Sequence, residues 1–183
     1  MIMQDYLEKM MVAMELKGFA KSTMKAYLAQ IKGFAEYCGK HPAACGYDEV
    51  RSFLHYGIKV KKLSSSYVNI AYGAIKFFYQ SALCRDWSMH IVPRVKCKRF
   101  LPSVLSMDEV KQIIQSVSNL KHKAMLTTCY TAGLRVSECT HLKVTDISSA
   151  NMRIFIRQGK GGKDRYSLLS EKTLRLLRDY WKI

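Results

Sequence analysis

Apolar residues recur at helical spacing through the first half of the chain and predict four helices. The apolar stripes run, in chain order, from Leu7 to Met14, Met24 to Ala35, Tyr47 to His55 and Val68 to Ala82. Gly18 is expected to end the first helix, Ser22 to cap the second, and the serines at 64–66 to begin the fourth. Residues 1–84 are therefore predicted to form one small helical domain.

A segment with little helical periodicity follows and separates this domain from a second one. Pro93 lacks a backbone donor, and Pro102 biases the residue before it away from helix, so residues 85–105 are predicted to be a linker. Ser106 and Glu109 then have the spacing of a capping box ahead of a new apolar stripe. The second domain is accordingly predicted over residues 106–183.

The second domain combines helices with a pair of strands. A helix from about residue 121 to 132 is expected to end at Gly133, which accepts the left-handed conformation. Residues 152–158 and 165–169 alternate like half-buried strands around a glycine-rich turn, and a last helix is predicted over 171–181. The expected fold is mainly α with a small antiparallel β hairpin.

The charge balance points to a polyanionic partner. Lys and Arg total 30 against 14 acidic residues, a formal charge of +16, which favours nucleic acid over an acidic membrane surface. Lys25 and Lys76 lie on the predicted polar faces of the second and fourth helices, beside Gln30 and Asn69. The linker adds a basic cluster of candidate phosphate contacts, namely Arg94, Lys96, Lys98 and Arg99. The alternative readings are a solvated tether and a basic charge that only aids solubility.

Several other classes of protein are disfavoured. The first residues include acidic ones and no basic leader before an apolar run, and no stretch reaches the ~18 apolar residues that span a bilayer. A cytoplasmic, nucleoid-associated protein with six free thiols is expected. Cys38, His41 and Cys45 lack a fourth ligand at finger spacing, so a zinc site is the less favoured alternative to a loop. We expect no metal and no cofactor.

The segment Thr131-Ala-Gly-Leu-Arg-Val-Ser-Glu138 carries the most specific signal. Arg135 is expected in the first turn of a helix, beside free backbone amides, where its guanidinium can hold two phosphate oxygens. Glu138, one turn later, can orient Arg135 or simply stabilise the helix start. In the segment Gln158-Gly-Lys-Gly-Gly-Lys-Asp-Arg165, the glycines lack the spacing of an ATP-binding loop and join two strands.

Taken together, these two segments resemble those of the tyrosine recombinase (phage integrase) family. The helical first half is similar to that family's N-terminal SAM-like core-binding domain, and residues 106–183 to the front part of its α+β catalytic domain. The resemblance implies that Arg135 and Lys160 are catalytic, that Glu138 supports Arg135, and that Lys163 and Arg165 contact the DNA backbone. It also implies duplex DNA as substrate and a 3′-phosphotyrosine intermediate, formed without metal or ATP.

The family's remaining active-site residues do not follow the hairpin in these 183 residues. No His-x-x-Arg box occurs after residue 165, and neither Tyr166 nor Tyr180 has the sequence context of the nucleophile. The expectation is a truncated recombinase that binds DNA but does not cleave it, alone or beside a full-length relative. Two alternatives stay open: a non-enzymatic DNA-binding protein that occupies recombination sites or restrains such a relative, and a basic helical RNA-binding protein.

Overall fold

The structure, a computed structural model, describes residues 3–97, 101–159 and 162–183. It divides into two compact units, Met1–Phe100 and Leu101–Ile183. The division falls inside the predicted linker over residues 85–105. Among the described residues, no helix is both long and apolar enough to cross a membrane.

The first unit contains the four predicted helices. They are α1 (Met3–Leu16), α2 (Lys21–Cys38), α3 (Tyr47–Lys59) and α4 (Ser65–Ser81), with a 3-10 turn over Pro42–Ala44. Gly18 follows α1 with a φ of +67°, and the Ser64 hydroxyl caps α4 by accepting a hydrogen bond from the Tyr67 amide at 3.2 Å. The prediction that Ser22 caps α2 is wrong. That helix already begins at Lys21, and Ala20 stands at the cap position without a side-chain bond.

The core of the first unit surrounds α4, which packs against α1, α2 and α3. Its largest fully buried side chains are Met10, Met14, Ile31, Phe34, Ile75 and Phe78. Because α4 is covered on several sides, one residue of its predicted polar face is buried: Asn69 is only 9% exposed. Gln30 on α2 is likewise 8% exposed. Both residues were expected in solvent, and helical periodicity could not have shown that neighbouring segments cover them.

The first part of the predicted linker lies against this helical unit. The Tyr47 hydroxyl donates to the Asp86 carbonyl at 2.5 Å, and the Trp87 indole N–H donates to the Tyr72 hydroxyl at 3.0 Å. Further along, Val92 is 1% exposed and belongs to the helical core. Residues 86–97 therefore form a strap on the first unit, because aromatic and apolar side chains spaced irregularly along it find partners there.

The second unit combines helices with a three-stranded antiparallel sheet. Its helices are α5 (Met107–Ser116), α6 (Leu120–Ala132), α7 (Val136–Thr140) and α8 (Glu171–Trp181). The strands are β1 (Ile147–Ser148), β2 (Arg153–Ile156) and β3 (Arg165–Leu168), in the order β1-β2-β3. The predicted hairpin is the β2-β3 pair, in which Phe155 lies opposite Tyr166. The two-residue strand β1 is too short to give an alternating pattern, and the sequence did not predict it.

Local signals in this unit agree with the structure. Ser106 and Glu109 form the predicted capping box, with the Ser106 amide donating to the Glu109 carboxylate at 2.7 Å. Gly133 ends α6 in the left-handed conformation, and α8 has the bounds that its apolar stripe predicted. A small core beneath the sheet includes Leu134, Ile154, Ile156 and Leu169. This core holds the α6–α7 loop against the hairpin.

Candidate phosphate-binding site

The loop between α6 and α7 presents Arg135 at the surface. Gly133 takes a φ of +59°, and the Leu134 amide donates back to the Cys129 carbonyl at 3.0 Å, which closes the end of α6. Arg135 is the residue before α7, one position earlier than predicted, and its side chain is 54% exposed. The closed turn therefore leaves the Arg135 guanidinium exposed at the surface.

Polar contacts fix this loop to the rest of the unit. The hydroxyls of Thr131 and Thr173 lie 2.9 Å apart, joining the end of α6 to α8, and Thr173 is fully buried. The Ser167 hydroxyl on β3 donates to the Ala132 carbonyl at 2.5 Å. Because α6, α8 and β3 meet at these contacts, the position of Arg135 is set by the second unit's own packing.

Glu138 occupies the centre of the site, and its side chain is only 5% exposed. It accepts hydrogen bonds from the Arg135 amide at 2.9 Å and from Arg135 Nη1 at 2.8 Å. Arg165 on β3 donates from Nη1 to Oε1 and from Nη2 to Oε2, both at 2.8 Å. These bonds, first those from Arg165 and then that from the Arg135 amide, hold the pKa of Glu138 well below its usual range.

This arrangement bears on three predictions. Free backbone amides were expected at the start of α7, a helix of five residues. One of them is not available, because the Arg135 amide donates to Glu138. Arg165, which is predicted to contact the DNA backbone, also forms a two-pronged ion pair with Glu138. Glu138 is placed beside Arg135, as predicted for a supporting residue.

The hairpin that carries the other candidate begins next to this ion-pair cluster. The Gln158 amide donates to Asp164 Oδ1 at 2.7 Å, and the Gly159 amide donates to the Lys163 carbonyl at 3.0 Å. Lys160 lies outside the described residues. An open cavity of about 630 Å³ is lined by Gly133, Leu134, Arg135, Lys163, Asp164 and Arg165. Lys163 and Arg135 thus line the same open cavity.

An ion pair with a buried carboxylate, which the sequence did not predict, supports the base of the hairpin. Asp146 has a side chain 3% exposed and accepts from Arg157 Nε at 2.8 Å and Nη2 at 2.6 Å. Burial acts to raise the pKa of Asp146, but the bonds from Arg157 and from the Lys143 amide outweigh it and lower that pKa. Arg157 directly follows β2, so this pair anchors the strand that leads into the turn. Nothing in the local pattern links residues 146 and 157.

The other candidate DNA contacts lie in the first unit. Lys25 on α2 is exposed, Lys76 on α4 is half-buried, and Arg94 and Lys96 are exposed on the strap. The strap holds the last two in place, because the Asn69 side chain bonds both the carbonyl and the amide of Val95, at 2.9 and 3.2 Å. Lys98 and Arg99 lie outside the described residues.

The cysteines do not assemble a metal site within the described residues, where no group of three potential ligands occurs. All six are free thiols. Burial, together with the hydrogen bond that the protonated Cys38 thiol makes to Cys45, raises the pKa of Cys38 to about 12.

Sequence comparisons cover nearly the whole chain. The sequence model of the phage integrase N-terminal SAM-like domain matches residues 6–89, and that of the phage integrase family matches residues 103–183. A Sinorhizobium fredii protein named as an integrase/recombinase is 42% identical over 184 residues, which cover all of this chain and 60% of the relative. The tyrosine recombinase XerA of Pyrococcus horikoshii is 33% identical over 180 residues, covering 97% of this chain and 60% of the relative. The chain thus spans about 60% of the length of these curated relatives.

Comparison with solved structures agrees at the level of fold. A lambda integrase tetramer bound to a Holliday junction aligns with a TM-score of 0.74 at 17% identity, covering 98% of this chain and 54% of that one. The Tn1549 transposon integrase in complex with circular intermediate DNA aligns with a TM-score of 0.67 at 14% identity, covering 97% and 64%. The paired helical unit and hairpin-bearing unit, the Arg135 loop and the matches along the chain lead to one assignment: the chain belongs to the phage integrase, or tyrosine recombinase, family.

Proposed function

We propose that this chain binds duplex DNA and that Arg135 and Lys160 contact the same phosphodiester. In a complete tyrosine recombinase, this phosphodiester is the one that is cut and rejoined. The observation that carries the proposal is the charge at the second unit's cavity. Arg135, Lys163 and Arg165 bring three positive charges to it, against the carboxylates of Glu138 and Asp164. Such a surface attracts an anion with several oxygens and gives little hold to a neutral ligand.

Arg135 is suited to non-bridging phosphate oxygens. Only its Nη1 and its backbone amide are bonded to Glu138, and within the described residues its Nε and Nη2 groups have no hydrogen-bond partner. A guanidinium presents such groups in one plane, which allows two parallel bonds to a phosphate. In the complete reaction, donors held in place in this way stabilise the charge that develops on the phosphorane.

Lys160 is assigned the role of proton donor to the leaving 5′ oxygen. The assignment follows from the family's pattern and from its position in the chain, directly after Gly159, which lies beside Arg165 and Glu138. The nucleophilic tyrosine, the His-x-x-Arg box and their chemistry are assigned to the part of a recombinase that these 183 residues do not match. No metal or nucleotide is part of the proposed reaction.

The polypeptide of these 183 residues, produced by itself, is proposed to bind DNA without cutting it. No histidine follows residue 141, and the active-site groups of such an enzyme act together, so that the loss of several removes turnover. A nicked duplex that traps the covalent intermediate tests this point after denaturing electrophoresis. We expect no protein–DNA adduct, and an adduct would refute the claim.

Binding itself is tested by titrating a fluorescent duplex of mixed sequence at several salt concentrations. Affinity should fall steeply with salt, with a log-log slope of about −0.9 for each phosphate neutralised. Arg135→Gln should weaken binding about fivefold, as expected for the loss of one charge-assisted contact. The matched control is Arg178→Gln on the exposed side of α8, which should change affinity less than twofold. A flat salt response, or equal effects of the two variants, would refute the proposed function.

A second copy of this chain, or a longer recombinase, is the proposed protein partner on DNA. The comparison structures include a lambda integrase tetramer and a lambda integrase dimer, each bound to DNA. Mixing the chain with a full-length relative tests whether it restrains recombination. Inhibition of strand exchange by the relative would support that role. Specific binding to structured RNA in preference to duplex DNA would support the RNA-binding alternative.

A further inference from the structure

The carboxylate of Glu138 is shared unequally between two arginines. Arg165 donates to both of its oxygens in parallel, whereas Arg135 uses one guanidinium nitrogen and its backbone amide. The Arg165 side chain is 37% exposed and that of Arg135 is 54% exposed, around a carboxylate that is 5% exposed. Arg165 is thus the principal partner of Glu138, and Arg135 is the more accessible cation.

The net charge of Glu138, Arg135 and Arg165 shows why the two arginines have different roles. One negative carboxylate faces two positive guanidiniums, so the cluster keeps one net positive charge. If Arg165 were absent, Glu138 and Arg135 would form a neutral pair, and an incoming phosphate would have to compete with the carboxylate for the same guanidinium. With Arg165 in place, Glu138 is already satisfied and only steers Arg135.

We propose that Arg165 is a positioning residue: it neutralises Glu138 so that Arg135 remains available to phosphate, and it registers the hairpin against the Arg135 loop. The inference rests on the proposed function and gives Arg165 a role that does not require it to contact DNA. It is an alternative to the predicted contact between Arg165 and the DNA backbone.

The base of the hairpin is built around this guanidinium. A Cβ at Gly159 would lie 2.8 Å from Arg165 Nη1, 3.0 Å from the Lys163 carbonyl oxygen and 3.3 Å from Glu138 Oε1. A side chain at this position would therefore require the Arg165 guanidinium to shift from its present place on Glu138.

Lysine cannot replace Arg165 fully. An ammonium is a point charge and does not form the two parallel bonds that engage both oxygens of Glu138. Arg165→Lys should therefore still neutralise the Glu138 carboxylate but hold the hairpin less firmly against the Arg135 loop. The affinity of this variant for DNA should lie between those of the native chain and Arg165→Gln.

A double-mutant cycle separates positioning from direct contact with DNA. The affinity of the 183-residue chain for the fluorescent duplex is measured for Arg165→Gln, Glu138→Gln and the pair together. We expect Arg165→Gln to weaken binding about fivefold in the native background and less than twofold when Glu138→Gln is also present, because no carboxylate then remains to capture Arg135. Lys163→Gln, on the same hairpin, is the matched control and should have the same effect in both backgrounds.

Each outcome decides one question. An equal loss from Arg165→Gln in both backgrounds would mean that Arg165 contacts DNA or only supports the fold, and would overturn this inference while leaving the proposed function intact. A lack of effect from Arg135→Gln would instead refute the proposed function. Thermal unfolding accompanies every variant, and if Arg165→Gln fails to fold, the same cycle is carried out with Arg165→Lys.

Discussion

Asn69 pins the strap to the helical unit, and its replacement should release Arg94 and Lys96. The Asn69 side chain donates to the Val95 carbonyl at 2.9 Å and accepts from the Val95 amide at 3.2 Å. Asn69→Ala removes both bonds. It also removes a weak hydrogen bond from Asn69 Nδ2 to Cys97 Sγ at 3.0 Å, which water replaces at little cost because Cys97 is exposed. Val95 is only half-buried, so water can replace part of what is lost, and each bond is taken as about 1 kcal/mol. The expected loss is about 2 kcal/mol for closing the strap.

This loss predicts a change in local opening that trypsin can measure. About 2 kcal/mol corresponds to roughly a thirtyfold larger population of the open strap. When opening is fast relative to cleavage, the rate of cutting follows that population. Cleavage after Arg94 and Lys96, followed by mass spectrometry, should therefore become about thirtyfold faster in Asn69→Ala.

The matched control lies on the same helix. Gln80→Ala changes an exposed polar residue of α4 and should alter the cleavage rate less than twofold, as is usual for surface substitutions. If Asn69→Ala were cut at the native rate, the reasoning would be refuted. The strap would then be held by Trp87 and Val92 without help from Asn69, and cleavage should instead respond to Val92→Ala.

Three further predictions follow from other parts of the chain. Gly159→Ala should weaken duplex binding about threefold to tenfold in a fluorescence titration, because its Cβ would lie 2.8 Å from Arg165 Nη1. Hydrogen bonds from Lys40 and then from the Gly46 amide lower the pKa of Glu49 to about 2. The ionised Glu49 should therefore stabilise the fold fully above about pH 4.3 and lose this effect as the pH falls towards 2. Thermal melting at several pH values measures the change. Phe78→Ala, at a fully buried position, should lower the free energy of unfolding by about 3–5 kcal/mol in a denaturant titration.

Each of these has a control and a contrary result. Gly33→Ala meets no atom within 4 Å and should leave duplex binding unchanged; an equal loss there would remove the steric argument for Gly159. Glu49→Gln should flatten the acid limb of the melting curve, and an unchanged limb would contradict the assignment. Phe78→Leu should be milder than Phe78→Ala, and equal losses would mean that cavity size does not set the cost.

Local patterns were sufficient for most of the helices and for their ends. Apolar spacing predicted the helices of the first unit and the bounds of α8, because a helix needs one apolar stripe wherever it packs. Ser106 with Glu109, and Gly133, were correct because a cap acts on backbone groups within one turn. Ser22 failed as a cap because a nearby start, at Lys21, was equally compatible with the same pattern.

Burial of polar residues was not predictable in the same way. Gln30 and Asn69 were placed in solvent because they lie opposite an apolar stripe, yet α4 is covered on several sides and the strap approaches Asn69 from position 95. The two-residue strand β1 and the pair between Asp146 and Arg157 were missed for a related reason. Each depends on a partner that no local spacing specifies.

The candidate site divides along the same line. Arg135 and Glu138 are three residues apart, so their contact follows from one turn of chain, and the motif alone was enough to identify them. Arg165 reaches Glu138 across 27 positions, and only the packing of β3 against the α6–α7 loop brings them together. A contact between neighbouring residues can be predicted from their spacing. An ion pair between residues far apart in the chain forms only when folding brings the two residues together. For this reason Arg135 and Glu138 could be proposed as a pair from the sequence, whereas the ion pair between Glu138 and Arg165 became visible only in the tertiary structure.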